Sequence, residues 1–93
     1  MQDSLFGVHL SYFEQLHSGK YSGLSAAILA ACSSGKAENS RSFSKKFDVA
    51  HALVLRESML LFEEGEILEL IHRDVRTLKL SYRLRNSARD QLI

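Results

Sequence analysis

Four histidines, one cysteine and a run of carboxylates are the groups here with reactive chemistry, and their spacing decides whether they use it. His9, His17, His51 and His72 are of the type that ligates metals or moves protons near neutral pH. No C-x-x-C, H-E-x-x-H or H-x-x-x-H pair joins any two of them, and structural zinc needs four converging ligands. His9 and His17 lie two helical turns apart, so they can share a face but not one ion. They read as surface or interface histidines. Cys32 closes the apolar run Ala26 to Cys32, with only Lys36 as a nearby base, so a buried, inert thiol is expected. Ser33-Ser34-Gly35-Lys36 has a fragment of phosphate-loop composition without the G-x-x-x-x-G-K-[ST] frame.

The carboxylates Glu63, Glu64, Glu66 and Glu69 would act as a catalytic pair only if buried at a fixed separation. At the start of a charged helix they read as a solvated face that complements the macrodipole. No nucleophile, base and orienting group can be named together. The chain is therefore expected to be non-enzymatic, with no catalytic, cofactor-binding or metal residues and no cofactor.

The elements that would position these groups are set by composition and periodicity. The chain has 93 residues, 45% hydrophobic and 25% charged, with no proline and a single cysteine. That suits one globular domain with long uninterrupted helices. A lone thiol, an N-terminus without a basic or apolar leader, and no long apolar run give the expectation of a cytoplasmic protein with no membrane partner.

Helical spacing is clear in three places. Leu5, Val8, Tyr12 and Leu16 form one row, with Phe6, Leu10 and Phe13 beside it, capped by Asp3 or Ser4 and stopped at Ser18-Gly19. A second, alanine-rich helix runs through Leu24, Ile28 and Ala31, capped by Ser22. After a polar loop from Ser33 to Ser40, a third begins near Ser42 or Ser44 and is established by Asp48. It carries Phe47, Ala50, Val54 and Leu61, and Gly65 either ends it or sits inside a longer helix.

The last segment has the sharpest pattern. Ile67, Leu68, Ile71, Val75, Leu78 and Tyr82 fall on one helical stripe, the seam of a bundle helix. Leu80 and Leu84 fall on the opposite side. Leu78, Leu80, Tyr82 and Leu84 also alternate with Lys79, Ser81 and Arg83 as a strand would. With no Asn-Gly turn to supply a partner strand, the helix is the expectation. The fold class read from the sequence is thus all-α: a bundle of about four helices, residues 1–93 forming one domain, with a longer C-terminal helix.

Charge is segregated within a net of +1. Glu57 to Asp74 carries six acids against Arg73, whereas Val75 to Ile93 carries five bases against Asp90. Two copies paired antiparallel along 66–89 would set each acidic half beside a basic one. The leading expectation is a regulatory or adaptor protein, homodimeric through Ile67, Leu68, Ile71, Val75, Leu78 and Tyr82. It would bind a partner protein through Leu80 and Leu84. The alternative is a nucleic-acid-binding transcriptional regulator using Arg76, Lys79, Arg83, Arg85 and Arg89, or the basic segment 36–46. Just before that segment Ala31 and Gly35 match the spacing of a helix-turn-helix turn, although Arg41 stands where that motif wants an apolar residue.

Overall fold

The computed structural model describes residues 4–21 and 23–91. The order is α1 (Ser4–Gln15), a 3-10 turn (Leu16–Ser18), α2 (Leu24–Ser33), α3 (Ser40–Phe47), α4 (His51–Glu64), β1 (Leu68–Arg73), β2 (Leu80–Leu84) and α5 (Asn86–Gln91). The proposed caps Asp3 and Ser22 lie outside the described residues.

α2 is the hub. Ala26 and every residue from Ile28 to Cys32 are buried, because α1, α4 and β2 all pack on it. A helix apolar on most sides belongs inside, and its alanines let neighbours approach closely. α1 covers one side with Phe13, which is 1% exposed, and with half-buried Phe6 and Leu10. The other expected row of α1 does not face the core throughout: Leu5 and Val8 are 52% and 63% exposed.

The third expected helix is two helices. Asn39 accepts a hydrogen bond from Ser42 N (2.8 Å) and so caps α3 three residues before the first serine expected to do so. Asp48 then takes a left-handed conformation (φ 54°) and stops α3. Ser44 Oγ donates to Val49 O at 2.6 Å, fastening the three-residue turn Asp48–Ala50. Phe43 anchors α3 in the core and stacks on Phe47 with centroids 4.3 Å apart. α4 resumes at His51 and ends at Gly65, whose positive φ of 74° closes the helix. There the chain needs the backbone freedom that glycine supplies.

The chain beyond Gly65 overturns the all-α expectation and its long C-terminal helix. β1 and β2 form an antiparallel hairpin, α5 has only six residues, and the longest helix is α4. Leu68 pairs with Leu84, Leu70 with Tyr82 and Arg73 with Leu80, with an irregularity between Leu70 and His72 that lets Ile71 stand unpaired. Leu68, Leu80, Tyr82 and Leu84 turn one sheet face to the core. Each such side chain contributes roughly 1.5–3 kcal/mol of transfer free energy, which a helix would have forfeited for Leu80 and Leu84. A two-stranded sheet is marginal alone; here α2, α3 and α4 touch it.

The hairpin turn is made by Asp74 rather than by an Asn-Gly pair. Its carboxylate accepts from Arg76 N (2.9 Å) and Thr77 N (3.3 Å), and Leu78 closes the loop at φ 64°. The antiparallel charge pairing expected between two copies is satisfied inside one chain, where Glu69 faces Arg83 across the ladder at 2.6 Å.

Candidate nucleic-acid interface

Two packed helices joined by a short turn lie one helix later than the spacing of Ala31 and Gly35 suggested. They are α3 and α4, joined by the turn Asp48–Ala50, with the β1–β2 hairpin seated beside them. Three contacts fix that seat. Ser40, fully buried, accepts from Leu80 N at 2.9 Å and meets His51 Nε2 at 2.9 Å, so one hydroxyl joins α3, α4 and β2. Arg41 donates to the carbonyl of Thr77 in the hairpin loop (3.1 Å). Arg73 reaches across to Met59 Sδ on α4 (3.4 Å). An isolated bridge between Asn39 and Ser81 ties the entry of α3 to the same strand.

These elements gather cations. α3, the first half of α4 and the hairpin end carry Arg41, Lys45, Lys46, Arg56, Arg73, Arg76 and Lys79 against Asp48, Glu57 and Asp74; elsewhere in the chain five bases meet eight acids. The bases here bond to neutral acceptors: Arg41 to Thr77 O, Arg73 to Met59 Sδ, and Lys46 to Lys36 O at 2.7 Å. Among the described residues none of these seven forms an ion pair. Their positive charge is therefore left to act outward. No family model, curated protein or solved structure matches this chain.

α4 has 14 residues and is about 20 Å long at 1.5 Å per residue. Its outward positions are Ala52, Leu53, Arg56, Met59, Leu60 and Glu63, so its first half carries one guanidinium and small or apolar groups while its second half turns acidic. Arginine can grip the O6 and N7 edge of guanine, and apolar side chains can contact a thymine methyl. The acids Glu63, Glu64 and Glu66 stand at the far end. The hairpin loop presents Val75 (79% exposed), Arg76 and Leu78, held in shape by Asp74, whose carboxyl the Arg76 and Thr77 amides keep below its usual range.

The residues singled out in the sequence gather at this surface only in part. Of the proposed self-association stripe, Ile67, Leu68 and Tyr82 are core residues while Ile71, Val75 and Leu78 are exposed, so the six share no face. Leu80 and Leu84, expected to meet a partner, are 3% and 4% exposed. Of the five C-terminal bases, Arg76 and Lys79 join the cationic end. Arg83 and Arg85 are drawn to Glu69 at 2.6 and 3.5 Å, and Arg89 bonds to Asn86. Cys32 is buried as expected, and burial pushes its thiol up to about 12. His9 is not a surface residue: it is 9% exposed, with Nδ1 2.6 Å from Ser33 Oγ. Sequence reasoning named Arg41 within the segment 36–46 and missed Arg56 and Arg73. The signal that could have found them was Asp48, a tolerant left-handed residue, in mid-helix.

Proposed function

We propose that the chain binds duplex nucleic acid through its helix-turn-helix, with the N-terminal half of α4 directed into a major groove and the hairpin lying against the neighbouring backbone. The observation that carries this reading is the set of seven bases on α3, α4 and the hairpin that bond only to neutral groups or to none. Phosphate contacts of this kind supply affinity and position, while base-edge groups supply sequence preference. Arg56, Ala52 and Leu53 are the groups with base-edge chemistry. Fluorescence anisotropy of a labelled mixed-sequence duplex between 50 and 200 mM salt tests it. Binding should weaken with a log–log slope of about −0.9 for each phosphate neutralised. No binding at the lowest salt and micromolar protein overturns the reading.

A second reading has its own support. Leu53, Met59 and Leu60 are 51%, 36% and 50% exposed on the outward side of α4. Exposed apolar side chains along one side of a helix suit a protein partner, in keeping with a regulatory or adaptor role and with self-association. Light scattering behind size exclusion would separate the two: salt-insensitive dimers blocked by Leu60→Glu favour it, and a monomer that binds duplex does not.

A further inference from the structure

We propose that Ser40 and His51 form a proton-sensitive latch that holds the β-hairpin against the helix-turn-helix, so that acid loosens the proposed duplex-binding surface. The regulatory part of this inference rests on the nucleic-acid reading; the latch itself does not. Ser40 has one proton to donate and two lone pairs. The Leu80 amide donates to its Oγ at 2.9 Å, which leaves the hydroxyl proton for His51 Nε2, also at 2.9 Å. That nitrogen accepts only while the imidazole is neutral with its proton on Nδ1. Protonation makes Nε2 a donor. Two N–H groups would then aim at one oxygen, and the Ser40 proton, on a residue with no exposure, would lose its acceptor. A buried polar group left unsatisfied is destabilising, and the orphaned hydroxyl proton regains an acceptor if the hairpin draws Leu80 away far enough to admit water to Ser40.

The surroundings already disfavour the charged ring. Burial, and after it the Arg41 guanidinium, hold His51 below its ordinary 6.5. His51 is also the first residue of α4, where the helix dipole opposes positive charge. The titratable and charged groups on the elements at the joint are Arg41 on α3, Asp48 in the turn, and on the hairpin Lys79 beside Leu80, Arg73 opposite it and His72 opposite Ser81. Cations outnumber the single acid. Two further hairpin contacts, Arg41 to Thr77 O and Arg73 to Met59 Sδ, involve neither an imidazole nor a carboxylate.

The test compares wild type, Ser40→Ala and His51→Ala by amide hydrogen exchange at pH 7.0 and 5.5, with each rate divided by its intrinsic rate. In the wild type the protection of Leu80 should fall roughly five- to tenfold at the lower pH, the scale of one net hydrogen bond. In His51→Ala, where Leu80 keeps its bond to Ser40 and the latch imidazole is gone, it should not change. Equal losses in wild type and His51→Ala overturn the latch, and this comparison stands even if Ser40→Ala does not fold. Duplex anisotropy at the same two pH values tests the consequence. Bare electrostatics predicts tighter binding when His51 gains charge, whereas an open latch predicts weaker binding in wild type and none of that weakening in His51→Ala. Tighter binding by the wild type refutes the regulatory role. A pH-dependent Leu80 amide in a protein that binds no duplex keeps the latch and sinks the nucleic-acid reading.

Discussion

The two ends of this molecule use their cations in opposite ways. At the end where α1 turns into α2, Lys20 meets Glu64 at 2.6 Å and Glu66 at 3.8 Å, His17 lies 3.4 Å from Glu66, and Tyr21 donates to Glu64. Charge there is spent on charge. Burial alone would raise the Glu64 carboxyl, but the hydrogen bonds from Lys20 and Tyr21 outweigh it and hold the group below its ordinary range. At the helix-turn-helix end the joint is closed by a serine hydroxyl, backbone carbonyls and a thioether, and the guanidinium groups remain uncompensated. An interior seam is best sealed by neutral bonds or matched pairs. A surface that must attract an anion keeps its cations unmatched.

If the two ends belong to one cooperative core, removing an anchor from either should unfold both. Phe13 on α1 and Phe43 on α3 are each 1% exposed. Phe13→Ala and Phe43→Ala should each cost about 3–5 kcal/mol, a large part of the stability of any domain this small. Urea unfolding followed by circular dichroism measures the loss. A Phe43→Ala protein that retains the α1–α2 signal while losing the hairpin would show that the ends fold separately.

The next effect is electrostatic. Neutralising Arg73, Arg76 and Lys79 together should flatten the salt dependence of duplex binding by up to about 2.7 in log–log slope, at 0.9 per phosphate contact. Neutralising Arg83 and Arg85, which already lie beside Glu69, should change that slope little. Equal effects of the two sets would mean that net charge alone matters and that the contrast between the ends is irrelevant to binding.

The sequence made part of this legible. The alanine-rich helix α2, the loop after Ser33 and the buried thiol could be read directly from residue type, and Gly65 as one of two possible helix ends. The hairpin could not. Its strands are only six and five residues long, and Leu68, Ile71, Val75, Leu78 and Tyr82 coincide with a 3-4-3-4 helical spacing that a longer strand would have broken. The misfit was visible in Leu80 and Leu84, which no single helix face could bury with the others. The turn hid because its chemistry is an aspartate binding its own backbone two and three residues on, rather than an Asn-Gly pair. The candidate site was legible only in pieces, Arg41, Lys45 and Lys46 in one segment and Arg76 and Lys79 in another, because the hairpin that seats Arg73 and Thr77 against α4 and Arg41 reads in sequence as a helix.

Acid titration should distinguish the ends in stability as well. Glu64 has a folded value below its ordinary 4.5. It therefore binds fewer protons folded than unfolded, and its contribution is present above that value and lost as pH falls through the folded one. His51, also held below its ordinary 6.5, gives a loss that begins higher, as pH drops below that figure. Stability against pH should thus decline in two stages. Glu64→Gln should remove about 1 kcal/mol at pH 7, the scale of one charge-assisted bond after solvent screening, and should flatten only the lower stage; His51→Ala should flatten only the upper. Chemical denaturation across pH 3 to 7 separates them.

The smallest effect bears most directly on the architecture. In the helical reading of residues 67–84, Leu78 belongs to the buried stripe and Leu80 to the far side. The hairpin reverses that ranking, with Leu78 at 55% exposure and Leu80 at 3%. Leu80→Ala should cost about 2–5 kcal/mol. For Leu78→Gly three small terms oppose one another. Relief of the left-handed backbone at φ 64° is worth roughly 1–2 kcal/mol. Added freedom in the unfolded chain offsets about 0.5–1 kcal/mol of it. Partial loss of contact in the hollow shared with Leu55, Met59 and Leu80 offsets roughly another 1 kcal/mol. The net should fall between about 1 kcal/mol of loss and about 0.5 kcal/mol of gain. A large loss for Leu78→Gly beside a small one for Leu80→Ala would restore the helix, and with it the seam between two copies that the hairpin has replaced.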